Sequence, residues 1–182
     1  MTRPKASELT EAGRRGRNSK ARGHAAERAL AKLLTEQYGL PVKRVARSGA
    51  LKAQADQMAG KAEQYRGDLL LEWNGKPLRI EVKTRAVLPA YIRDKNIYLI
   101  DGLCWFFGID NFINLYKFGV SYGLASVNKE NCTSADHCKV LQAWFKQDNA
   151  DIVAVRQTGH REWRFAVKLN VVKKIEKWRK EK

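Results

Sequence analysis

Asp68-Leu69-Leu70-Leu71-Glu72-Trp73, then Asn74-Gly75, then Leu78-Arg79-Ile80-Glu81-Val82-Lys83-Thr84 is the stretch on which the fold turns. Two runs of apolar and β-branched residues flank an Asn-Gly pair, a strong local signal for a tight antiparallel hairpin. Successive side chains alternate across a strand, so Glu81 and Lys83, two positions apart, share a face. The antiparallel return sets Asp68, at the head of the first strand, beside Glu81, near the end of the second. The hairpin thereby gathers two carboxylates and an ammonium at one end of a sheet.

Two carboxylates side by side are costly unless a proton or a cation compensates them. Oxygen donors suit Mg²⁺, which keeps part of its water shell for chemistry, better than zinc. Cutting a phosphodiester needs a water nucleophile, charge stabilisation on the phosphate and help for the departing oxygen, and one or two metal ions can provide these. Lys83 would orient or deprotonate the water, or stabilise charge in the transition state; sequence leaves these roles open. An E-x-K tripeptide alone is also what a solvated strand of alternating charge produces. Its weight here comes from its surroundings, since Gly67-Asp68 opens the partner strand and Glu27 lies on the preceding helix.

Outward from the hairpin, Ala26, Leu30, Leu33, Leu34 and Tyr38 recur at helical intervals and predict an amphipathic helix over 19–38, with Gly39 as its C′ residue. Residues 41–46 read as a short strand ended by Arg47-Ser48-Gly49, and 50–66 as a loop or a short helix. Residues 1–18, with Arg14-Arg15-x-Arg17, lack a sustained hydrophobic period and read as a basic arm, either phosphate-gripping or simply solubilising. The remainder, 19–182, reads as one domain. Within it, the interval 86–133 is rich in aromatic residues, among them Tyr98, Trp105, Phe106, Phe107, Phe112, Tyr116 and Phe118, and predicts an insertion with its own packed surface. Thr133 or Ser134 can cap a helix carrying Val140, Leu141, Trp144 and Phe145. Strands are expected at 152–156 and 163–167, and a last helix over 171–182.

The excess of 35 Lys and Arg over 19 Asp and Glu gives a net charge of +16, which makes a polyanion the natural partner. Charge alone also describes a ribosome-type protein, so it does not establish catalysis. The N-terminus lacks the apolar core of a signal peptide, and no apolar run approaches the length of a membrane span. Three cysteines cannot all pair within the chain. A cytoplasmic, DNA-associated protein is expected, with no membrane partner.

The order of these stretches resembles the PD-(D/E)XK nuclease superfamily, and within it the archaeal-type Holliday-junction resolvases. The resemblance rests on Gly23-His24-Ala25-Ala26-Glu27-Arg28-Ala29-Leu30, Val45-Ala46-Arg47-Ser48-Gly49, Gly67-Asp68-Leu69-Leu70 and Ile80-Glu81-Val82-Lys83-Thr84-Arg85, over about residues 20–86. A weaker continuation runs through Val140–Phe145 and Ile152–Arg156. The resemblance implies an α/β, restriction-endonuclease-like core with a central mixed sheet flanked by helices. It implies that Asp68 and Glu81 bind metal, Mg²⁺ with Mn²⁺ able to substitute, that Lys83 is the catalytic lysine, and that Glu27 completes the acidic site directly or through water. It places Ser48 near the cut strand and gives Arg28, Arg47 and Arg85 phosphate contacts. A homodimer acting on branched or junction DNA in recombination or repair follows from it, since two symmetric sites suit a four-way junction. The competing expectations are a repair, restriction or replication nuclease acting on ends, flaps or single strands, and a DNA-binding protein that keeps the scaffold without cutting.

Gly67 stands where the superfamily name has proline. Cys132, His137 and Cys138 lack the fourth ligand and the tight pairing of a structural zinc site. No GxxxxGK[ST] loop is present to bind a nucleotide triphosphate. His24 and His160 read as surface or phosphate-facing residues.

Overall fold

In the computed structural model, residues 11–45, 67–73, 75–88, 98–100, 104–118, 135–147 and 149–180 are described. They form the helices α1 (Glu11–Lys32), α2 (Ile109–Phe118), α3 (Ala135–Gln147) and α4 (Leu169–Lys180). The strands are β1 (Val42–Arg44), β2 (Leu69–Trp73), β3 (Lys76–Arg85), β4 (Tyr98–Ile100), β5 (Cys104–Gly108), β6 (Ile152–Gln157) and β7 (Arg164–Lys168). All seven join one sheet in the order β1-β2-β3-β6-β7-β5-β4. Only β3 and β6 run parallel among the described pairings, so the sheet is mixed, as expected.

The hairpin forms in the register that the sequence implies, from Trp73↔Lys76 to Leu69↔Ile80. Alternation along β2 and β3 buries Leu69, Leu71, Trp73, Leu78 and Ile80 on one face. That face meets Ala26 and Leu30 of α1, Leu34 of the helical turn that continues it, Phe112, Ile113 and Leu115 of α2, and Val171, Val172 and Ile175 of α4 in the main core. The rings of Phe112 and Phe165 stack in it with centroids 4.1 Å apart. The opposite face carries a smaller cluster in which Val153, Val155 and Ala166 of the sheet pack on Leu141, Trp144 and Phe145 of α3. The sheet is therefore sandwiched between helices, the α/β arrangement in which each face has an apolar partner.

Two features differ from the expectation. The chain is already helical at Glu11, the first described residue, so the basic cluster at 14–17 lies on a helix instead of an irregular arm. It continues through a π-helical stretch, Leu33–Gln37, and stops at Gly39 (φ +68°), the anticipated C′ residue, whose N–H donates to the Thr35 carbonyl at 3.1 Å. The aromatic interval, where described, is no separate unit: β5 pairs with β7, β4 pairs with β5, and α2 contributes to the main core. Its aromatic residues extend the existing sheet and layer because Phe112 needs Phe165 as a partner, and Tyr116 meets Trp73 edge-on at 4.4 Å.

Candidate active site

Glu81 and Lys83 project from the sheet face opposite to Ile80, toward α3. Their rungs in the parallel ladder are Glu81↔Val153 and Lys83↔Val155, so a fully buried valine stands beside each. Glu81 is 2% exposed. Lys83 Nζ donates to Glu81 Oε1 at 2.5 Å and to Gln147 Oε1, at the end of α3, at 2.8 Å. A lysine side chain folded back over its own strand in this way stays within reach of solvent while its charge offsets the buried carboxylate.

Asp68 joins them by backbone geometry. One step past the Leu69↔Ile80 rung it stands opposite Glu81, and its N–H donates to the Ile80 carbonyl at 3.1 Å. The chain then leaves the ladder at Gly67, and Asp68 Oδ2 accepts the Val82 N–H at 2.8 Å, taking the place of the missing strand partner. Gly67 makes this exit with φ +82°, and a Cβ there would meet the Arg79 Cβ at 3.4 Å. Proline, locked near −65°, cannot take that conformation. Glycine at this position is thus required by the path of the chain that presents Asp68.

Glu27 is placed differently. It stands on α1, which covers the opposite face of the sheet, and is 8% exposed. Arg44 Nη2 donates to Glu27 Oε2 at 3.0 Å, and His24 Nδ1 lies 3.2 Å from Oε1. Among the described residues no three of His, Cys, Asp and Glu form a group able to hold a metal ion. Arg28 is exposed on α1. Arg85 is exposed at the end of β3 with its guanidinium 5.5 Å from the centroid of Trp144. Arg47 and Ser48 lie outside the described residues.

Arg44 and Gln147 were not singled out by sequence reasoning. Arg44 stands on a strand whose alternation points it toward α1, a signal that was legible. Gln147 had none, because its approach to Lys83 depends on β6 returning parallel to β3 with α3 packed above.

A donor set of two carboxylates fits Mg²⁺, which is commonly held by one or two carboxylates together with water and substrate phosphate oxygens. A third protein ligand is not required for that chemistry. The set does not suit zinc, for which nitrogen and sulfur donors are the rule.

Residues 18–90 match the family described as phage putative PDDEXK endonuclease. The match spans less than half of the chain, and it takes in Glu27, Asp68, Glu81 and Lys83. It supports the PD-(D/E)XK superfamily and a nuclease activity; its description names no resolvase. No curated protein matches the chain. No helix among the described residues is long and apolar enough to cross a membrane.

Proposed function

We propose that this protein is a Mg²⁺-dependent endonuclease that hydrolyses DNA phosphodiester bonds, with Asp68, Glu81 and Lys83 as its working residues. The observation that carries the reading is the meeting of these three at one end of the β2–β3 hairpin, on two hydrogen-bonded strands inside the segment that matches an endonuclease family. The net charge of +16 agrees with a polyanionic substrate.

A bound Mg²⁺ supplies Lewis-acid activation of water and charge on the phosphate. The protein's part is positional. The Val82 N–H fixes the Asp68 carboxylate, and the ladder fixes Glu81 beside it. Lys83, held by Glu81 and Gln147, keeps a cationic donor where a nucleophilic water can be oriented and where negative charge develops on the phosphate. Pre-set donors of this kind need no rearrangement at the moment of reaction.

The test is incubation of the purified protein with labelled linear duplex, single strand, flap and four-way junction, with Mg²⁺, with Mn²⁺ and with chelator. Internal cuts that require the metal are expected. Paired symmetric nicks confined to the junction would add resolvase activity; attack from ends alone, or no cutting with metal bound, would reject the endonuclease reading.

A further inference from the structure

The first half of α1 buries no apolar side chain among the described residues. Among the described residues its first buried position is Ala26, and residues 16–22 are all exposed. Over Glu11–Gly23 it carries Arg14, Arg15, Arg17, Lys20 and Arg22 against one acid, Glu11. Glycines at 13, 16 and 23 each cost about 1 kcal/mol of helix propensity relative to alanine. Arg17 and Lys20 are spaced i,i+3, where like charges repel. A stretch this short with no apolar face is marginal by itself.

Its direction is fixed by the core. At the far end of the helix, Leu40 N–H donates to the Leu34 carbonyl and Glu72 N–H to the Pro41 carbonyl, near the hairpin turn. At the near end, Arg44 holds Glu27 and pairs in register with Leu69, the neighbour of Asp68. The helix therefore runs past the end of the sheet that carries Asp68, Glu81 and Lys83. With a rise of 1.5 Å per residue, its cationic half projects about 20 Å beyond Ala26, and Arg17 stands about 15 Å before Glu27.

We propose that residues 11–23 form a docking arm for duplex DNA, with Arg17, Lys20 and Arg22 contacting phosphates on the DNA that leads away from the active site. This rests on the endonuclease reading for the substrate that the site acts on. Arg17, Lys20 and Arg22 are exposed, and Arg22 Nε donates to the Asn18 carbonyl at 3.3 Å, which ties its guanidinium to the helix. A polyanion lying along the arm removes the i,i+3 repulsion that otherwise opposes the helix. Charge and position both select the DNA that the site cuts over an unrelated anionic surface.

The experiment measures binding of the full-length protein to a 30-base-pair mixed-sequence duplex in chelator, between 50 and 200 mM salt. The triple variant Arg17→Gln, Lys20→Gln, Arg22→Gln is compared with wild type and with Arg17→Lys, Arg22→Lys, each checked for helix content by circular dichroism. Losing three phosphate contacts lowers the slope of log K against log salt by about 2.7, at roughly 0.9 per phosphate. The lysine variant keeps the wild-type slope. An unchanged slope in the glutamine variant overturns the proposal, as does a loss confined to binding of phosphatidylserine vesicles. Wild type that binds with the steep slope but cuts no DNA with Mg²⁺ refutes the nuclease reading and leaves the arm standing; wild type that cuts while the glutamine variant binds equally well refutes the arm alone.

Discussion

Asp68→Asn separates what the Asp68 carboxylate does for the fold from what it does for chemistry. In the structure Oδ2 accepts the Val82 N–H at 2.8 Å, and an asparagine carbonyl oxygen can accept the same bond. The expected change in stability is therefore small, within about 1 kcal/mol, whereas Asp68→Ala leaves that N–H without its acceptor and costs about 1 to 3 kcal/mol. The asparagine removes the negative charge that would face a divalent cation and the phosphate. Losing one pre-set electrostatic group of this kind typically costs about 10²- to 10³-fold in rate, or roughly 3 to 4 kcal/mol of barrier. The assay is urea unfolding of the three proteins beside initial rates of cutting at saturating Mg²⁺. The expected pattern is near-wild-type stability with lost cleavage for asparagine, and both deficits for alanine. Asparagine that cuts within tenfold of wild type, while folded, would refute the role given to Asp68. Lys83→Ala is a poorer probe, because the Glu81 side chain is only 3% exposed and removing the cation from a buried pair costs about 3 to 5 kcal/mol by itself.

Gln147→Leu, which takes away one of the two acceptors that hold Lys83, is expected to lower kcat about tenfold, roughly 1.4 kcal/mol, with KM unchanged and with recovery in Gln147→Glu; an equal loss in both variants argues for a purely structural role. Leu30→Ala empties a fully buried site in the main core and is expected to cost about 2 to 5 kcal/mol, read as a fall in Tm on the order of 10 °C. Tyr116 donates its hydroxyl to the Glu72 carbonyl at 2.7 Å, and burial, then the charge of Glu72, pushes its pKa above the ordinary value. The neutral phenol is the form favoured by folding, so its contribution is fully present below the unfolded pKa and is lost as pH rises through the folded value. Tyr116→Phe should thus be less stable than wild type near neutrality by about 1 kcal/mol, with the gap closing in strongly alkaline solution, as measured by urea unfolding across pH.

The hairpin was legible because its determinants are local: an Asn-Gly turn and alternation on both sides. The face shared by Glu81 and Lys83 followed from a period of two and needed no tertiary information. Glu27 shows the limit of that reasoning. Helical spacing identified the face that buries Ala26, Leu30 and Leu34, and Glu27 is buried beside them, but a helix-face argument does not say which side of the sheet the helix covers. The structure puts α1 opposite to the side of Lys83, and Arg44 takes the carboxylate. The aromatic interval shows a related limit: aromatic density marks a need for burial, but not that β7 supplies the partner for β5 from residues about sixty positions away.

The valines beside Glu81 and Lys83 set the surroundings in which the proposed chemistry would run. Val153 and Val155 are buried on the same face, under Leu141, Trp144 and Phe145, and exclude water from one side of the ion pair. Charge interactions strengthen as the local dielectric falls, so an ammonium there acts on a neighbouring anion more strongly than the same group on an exposed strand. The Lys83 side chain is 14% exposed against 3% for Glu81, which leaves the cation at the boundary between that dry wall and solvent. That boundary lies at the end of the sheet where Asp68 stands and past which the basic half of α1 extends. The same parallel pairing of β3 with β6 that hid Gln147 from the sequence thus supplies both the apolar wall and the residue that steadies Lys83 against it.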